Sequence, residues 1–281
     1  VRSAARRPKP TATRHDGDHM PLCSSQPFED EMELTTAPKS DALPSAEGVW
    51  ASNSARSAAD KARGLTALVS AGGTHILAFV IFTLMYSTLK EFNGGTAPLE
   101  WGSFLLHPLM MTLAYGLLAP IGTVAYVSYE RLLGVSHGTA KALHMALQGA
   151  AMVVAAAGIR TMWLKHDSLE VGGILGGAGQ APTHFQTGHS WVGMTVFVIF
   201  TLQWCYGLVV YMLPGIATPA VKEALMPIHV LLGCLAIFGS LWSIASGILS
   251  WRGTAGRSLD PKDITLKAVS LLTFLLGALA A

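Results

Sequence analysis

The stretch Thr187-Gly-His-Ser-Trp-Val-Gly-Met-Thr-Val-Phe-Val-Ile-Phe-Thr-Leu-Gln203 decides the fold. It lies in a window from Val171 to Val221 that holds no Asp, Glu, Lys or Arg. Similar charge-free windows occupy residues 64–89, 101–129, 142–159, 224–251 and 268–281. Several exceed the roughly 20 residues that cross a bilayer. Composition agrees: 51% of the 281 residues are hydrophobic and 13% charged, against about 25% charged in soluble domains, and the mean hydropathy is +0.44. The chain reads as an all-α integral membrane protein, multi-pass, in contact with the lipid bilayer.

Six spans are predicted, at about 65–89, 102–127, 140–162, 185–212, 221–249 and 264–281. Asn93-Gly-Gly, Gly134, the Gly-rich 172–179, Pro214-Gly and the stretch from Gly253 to Pro261 punctuate them. The sixth is short enough to read as cut off at the C terminus. The connection 163–184 is the longest between spans, a length that often marks function. Residues 1–62 are rich in Pro, Ser, Ala and charge without apolar periodicity, and read as a disordered tail ahead of a transmembrane domain at 63–281. The opening VRSAARRPKP has the Arg-rich character of a transit peptide, which the acidic residues after it oppose. Cys23, Cys205 and Cys234 form neither CxxC nor CxxCH, which excludes a thiolate zinc site and covalent c-type haem. A net charge of +2 gives no reason to expect nucleic acid.

Ten histidines are present. His15, His19, His137 and His166 fall in the tail or loops, and His75 in span 1. His107, His144, His189 and His229 each open one of spans 2 to 5. Successive spans are antiparallel, so His107 and His189 lie near one membrane face and His144 and His229 near the other. A histidine inside a membrane can be a hydrogen-bonded core residue, but polar groups there are expensive and usually functional. Spans 2 to 5 carry a single carboxylate, Glu223 at the very start of span 5, rather than the chain a proton relay uses, and they lack the HExxH of a zinc hydrolase. Two facing imidazoles suit the axial positions of a bis-histidine haem between bundle helices. Small residues on the same faces leave room for it. Gly193 and Gly207 follow His189, Gly233 and Gly247 follow His229, and Gln148, Ala151, Ala155 and Gly158 follow His144. A haem-free histidine-lined transporter and a quinol-linked cytochrome b subunit are the alternatives.

Four blocks resemble the eukaryotic cytochrome b561 family. They are Leu106-His-Pro-Leu-Met-Met111, Lys141-Ala-Leu-His-Met-Ala-Leu-Gln148, Thr187-Gly-His-Ser-Trp-Val-Gly193 with Gln203-Trp, and Met226-Pro-Ile-His-Val-Leu-Leu-Gly233. The resemblance covers roughly 65–252. Gln148, His75 and the His184-to-His189 spacing look more like small b561-domain proteins than the chromaffin-granule type. It implies a central four-helix bundle of spans 2 to 5 with two non-covalent b haems. His107 and His189 would hold the non-cytoplasmic haem and His144 and His229 the cytoplasmic one, with Gly193, Gly233 and Gly247 against the cofactors. The implied activity is a transmembrane oxidoreductase, moving electrons from cytosolic ascorbate to monodehydroascorbate or a ferric chelate. Lys141, Lys222 and Arg131 are the expected contacts of the ascorbate anion, and His184 of the acceptor; a homodimer is an expected assembly. Lysines at helix ends also serve as headgroup anchors. Loop charge does not orient the chain. Six Lys and Arg on the N-terminal side (Arg56, Lys61, Arg63, Arg131, Lys141, Lys222) face seven on the other (Lys90, Arg160, Lys165, Arg252, Arg257, Lys262, Lys267), so a cytoplasmic N terminus rests on the resemblance.

Overall fold

The computed structural model describes residues 46–172, 184–251 and 260–280. Residues 1–49 and 50–281 form two separate units. Only Ala46–Val49 of the first is described, and the apolar spans, which begin at Arg56, lie in the second. The described residues contain helices and no strand. Among the described residues, six helices are long and apolar enough to cross a membrane, the form in which a backbone can satisfy its own polar groups in lipid. They are α1 (Ala46–Phe92), α2 (Leu106–Leu132), α3 (His137–Gly172), α4 (Gly188–Met212), α5 (Pro219–Trp251) and α6 (Pro261–Ala280).

Several boundaries differ from the expectation. Helix α1 begins at Ala46, so residues 46–62 are helical rather than tail; alanine recurs through 51–62 and proline is absent, which favours a helix. Helix α3 runs on to Gly172, so most of the charged 163–172 stretch extends the helix and His166 is helical. The Gly-rich segment and the Gly253-to-Pro261 break lie almost wholly outside the described residues.

Helix α2 is not uniform. It is π-helical over Thr112–Leu118 and Tyr126–Leu132, with the α-helical Ala119–Thr123 between them. Pro120 lacks an N–H and leaves the Gly116 carbonyl without its α-helical donor, so the wider turn directly before it has a local cause. Helix α4 likewise ends in π turns over Leu208–Met212, closed by the Leu213 amide bonding to the Leu208 carbonyl (3.1 Å) just before Pro214.

Helix α2 packs along α3, and α4 along α5, which also carries α6. Ile81 and Met85 of α1, Leu109 and Ile121 of α2, Phe200 of α4, Ile244 of α5 and Leu276 of α6 share one apolar core. Ser70 ties α1 to α6 through the Leu279 carbonyl (2.7 Å). Ile76, Val153, Leu202, Leu231 and Leu271 are exposed, as large apolar side chains facing lipid would be. The core thereby positions four helix interiors, α2 to α5, around two levels of histidine.

Candidate functional site: two histidine pairs

His107 and His189 face each other with ring centroids 6.2 Å apart. His144 and His229 do so at 6.5 Å. The four histidines therefore form two pairs, each drawing one member from the α2–α3 half and one from the α4–α5 half.

The α2–α3 half explains how two of them are held. His107 Nδ1 donates to the Gly158 carbonyl (2.8 Å), and His144 Nδ1 donates to the Gly122 carbonyl (2.7 Å). Each helix thus supplies the carbonyl that fixes its neighbour's imidazole. Both acceptors are glycines because the backbones come close there. A Cβ on Gly158 would lie 3.1 Å from the Cβ of Met110, and one on Gly122 would lie 3.1 Å from the Cβ of Leu147. With Nδ1 committed to a carbonyl, Nε2 is the nitrogen left for a ligand, the outer-shell arrangement common behind metal-bound histidine. Gln148 serves the same seam, donating to the Ala119 carbonyl (3.1 Å).

In the α4–α5 half the partners are side chains. His189 Nδ1 lies 3.4 Å from Ser246 Oγ. His229 Nδ1 lies 2.8 Å from the buried carboxamide of Gln203, which also donates to the His229 carbonyl (2.6 Å). The glycines are again reciprocal. Gly247 of α5 would put a Cβ 2.7 Å from Cε1 of His189, and Gly207 of α4 would put one 3.3 Å from Cε1 of His229. A Cβ on Gly233 would meet Gln203 Nε2 at 3.6 Å, an ordinary contact, rather than an imidazole. Trp204 Nε1 donates to the Met145 carbonyl (3.1 Å), joining α4 to α3.

A cavity of about 460 Å³ surrounds the first pair; His107, His189, Tyr115, Gly193, Gly247 and His184 are among its lining. At its rim His184 stacks flat on Trp163 (3.8 Å, 17°) and on His166 (5.3 Å), with Nε2 3.2 Å from Asp167 Oδ1. It is a packed member of a cluster, not a free loop residue. The neighbouring Phe185 has φ of 63°, a backbone strain of the kind that gathers at binding sites.

At the other end Tyr206 and Tyr211 lie against His229 (6.0 and 5.1 Å), and Tyr126 against His144 (5.6 Å). Lys141 Nζ donates to the Tyr211 carbonyl (2.6 Å), and the Tyr211 hydroxyl donates to the Lys222 carbonyl (3.2 Å). Lys141 thus ties α3 to the end of α4, and the Lys222 backbone meets the same tyrosine that lies against His229. Arg131 is exposed at the end of α2. His75 bonds back to Ala71 of its own helix (2.7 Å), and His137 pairs with Glu130 (2.9 Å). Sequence reading missed the carbonyl partners and the Trp163–His166–Asp167 cluster. Gly158 was visible on the His144 face, but nothing local marks a backbone acceptor.

A six-helix membrane bundle with one imidazole pair at each end is the architecture of a membrane cytochrome. Residues 106–252 match the family described as Eukaryotic cytochrome b561. Ascorbate-specific transmembrane electron transporter 1 of Zea mays is 29% identical over 178 residues, 62% of this chain and 69% of that protein. Transmembrane ascorbate ferrireductase 1 of Arabidopsis thaliana is 26% identical over 181 residues, 62% of this chain and 68% of that protein. Plasma membrane ascorbate-dependent reductase CYBRD1 of Rattus norvegicus is 23% identical over 220 residues, 75% and 71% respectively. The chain belongs to the eukaryotic cytochrome b561 family, whose members bind haem.

Proposed function

We propose that the protein is a transmembrane oxidoreductase that carries electrons from ascorbate, on the side of His144 and His229, to monodehydroascorbate or ferric iron on the side of His107 and His189. Two b haems per chain would be held, one by each pair. The spacing of the imidazole pairs carries this reading. Metal–imidazole bonds of about 2 Å place facing nitrogens about 4 Å and ring centroids roughly 6 Å apart, and the observed separations are 6.2 and 6.5 Å. The cavity and Gly247, where a Cβ would collide with His189, support it at the first pair, and the carbonyls behind His107 and His144 support Nε2 ligation.

The haems would supply one-electron exchange. The chain supplies orientation, charge and a dry path. Lys141 keeps N–H donors beyond the one given to Tyr211, and with Lys222 and Arg131 it provides the positive mouth an ascorbate anion requires. Gln203 and Ser246 orient His229 and His189. At the opposite mouth His184, braced by Trp163 and Asp167, borders the route by which an acceptor would approach. Residues 63–281 form the transmembrane domain in this reading.

The test is haem content with reducibility. Purified protein should give two haems per chain by pyridine haemochrome, with Soret and alpha bands that ascorbate reduces. No haem would favour a histidine-lined transporter, and reduction by a quinol but not by ascorbate would favour a respiratory cytochrome b subunit.

A further inference from the structure

Glu130 and His137 form a pair that the haem ligands and the cationic mouth leave unused. Glu130 lies in the last π-helical stretch of α2, and His137 is the first residue of α3. The connection between them is tight. Gly134 takes φ of 66°; its amide donates to the Glu130 carbonyl (3.2 Å), and the Val135 amide to the Tyr129 carbonyl (2.9 Å). Ser136 Oγ then accepts from the Thr139 amide (3.2 Å) at the start of α3. His137 Nδ1 is thereby held 2.9 Å from Glu130 Oε2. The two side chains are 70% and 37% exposed, where an ion pair is worth little to stability. A carboxylate only accepts hydrogen bonds, so Nδ1 carries the proton and the neutral ring presents Nε2 as a lone pair. An imidazole backed by a carboxylate in this way is built as a general base.

Its position gives that base a task. His137 precedes His144 by seven residues on α3, which is two turns or about 10 Å on the same helical face. Tyr126 fills the step, with its ring 5.5 Å from His137 and 5.6 Å from His144. The cations of this mouth, Arg131, Lys141 and Lys222, offer donors and no lone pair while charged. His75 gives its Nδ1 to the Ala71 carbonyl of its own helix and has no carboxylate behind it. Glu223 is exposed at the start of α5. Ascorbate near neutral pH is a monoanion that keeps one enol hydroxyl. Removing an electron makes that hydroxyl strongly acidic, so its oxidation releases a proton at the mouth where the electron enters.

We infer that His137, held by Glu130, is the base that takes this proton, an inference that rests on the reading of ascorbate as the donor. The step balances. The enol O–H bond of the ascorbate monoanion breaks as an N–H bond forms at His137 Nε2, one electron reduces the ferric haem held by His144 and His229, and the monodehydroascorbate radical anion leaves. Glu130 offsets the charge that arises on His137, and the exposed ring returns its proton to water. His137 is the catalytic base and Glu130 its positioning residue.

The experiment compares ascorbate with dithionite, whose radical anion gives up an electron without breaking an O–H bond, in stopped flow on the full chain. His137→Ala should slow reduction by ascorbate roughly tenfold or more, below the ~10²–10⁴-fold of enclosed bases because water reaches this mouth, and leave reduction by dithionite unchanged. Added imidazole should restore part of the lost rate. Wild-type reduction by ascorbate, and not by dithionite, should slow in D₂O. Glu223→Gln should react as wild type does. A readout independent of turnover is the ¹⁵N spectrum of His137, which should show the neutral ring protonated at Nδ1, a preference that Glu130→Gln relaxes. Equal slowing with both reductants, no rescue by imidazole, no isotope effect, the same loss in Glu223→Gln, or a neutral His137 protonated at Nε2 would each overturn the inference and leave ascorbate as the donor. Wild-type protein that dithionite reduces and ascorbate does not would overturn the donor reading itself.

Discussion

Replacing Gly247 with alanine adds one methyl group at the tightest point of the histidine framework. Its Cβ would lie 2.7 Å from Cε1 of His189, 3.2 Å from Nδ1 and 3.3 Å from Nε2. Non-bonded carbons rest at about 3.5–4.0 Å, so the ring must retreat by about 1 Å or the helices must part. Overpacking of this size costs about 1–3 kcal/mol, which is roughly 5- to 140-fold in affinity at 1.4 kcal/mol per tenfold. The helix itself does not suffer, because alanine is favoured over glycine in a helix interior by about 0.8–1.0 kcal/mol. The loss should therefore appear in cofactor retention at the His107–His189 level, not in helix content. Gly207→Ala is the internal control. Its Cβ would stand 3.3 Å from His229, an overlap of a few tenths of an ångström, so the other haem should be perturbed at or below the bottom of that range. Pyridine haemochrome assays with resolved redox titrations read both. Full retention of two unshifted haems in Gly247→Ala, or a larger effect from Gly207→Ala, would refute the reasoning.

Three other outcomes are expected. His229→Ala should reduce haem content from two per chain to one and leave the ascorbate-distal midpoint in place, measured by haemochrome and titration. Replacing Lys141 and Lys222 together with Gln should slow reduction by ascorbate several-fold in stopped flow without changing haem content; unchanged rates would leave the two lysines as helix anchors. Gly193→Leu and Gly247→Leu should move the same midpoint, because both residues border one cavity. Different midpoints would break the layering.

The range of each interaction decides whether it is legible in the sequence. Charge-free windows and helix-breaking glycines and prolines are local, so six membrane helices were readable directly, with ends displaced where a helix runs on into polar sequence, as at Ala46 and Gly172. The pairing of His107 with His189 and of His144 with His229 was also legible, because antiparallel spans alternate their ends and leave no other arrangement of four early histidines. What the chain alone could not reveal depends on how closely two backbones approach. The Gly158 and Gly122 carbonyls become imidazole anchors only when α2 and α3 close to within a methyl group of each other. His184 becomes one leaf of an aromatic stack only when α3 extends a further turn to bring Trp163 and His166 beneath it.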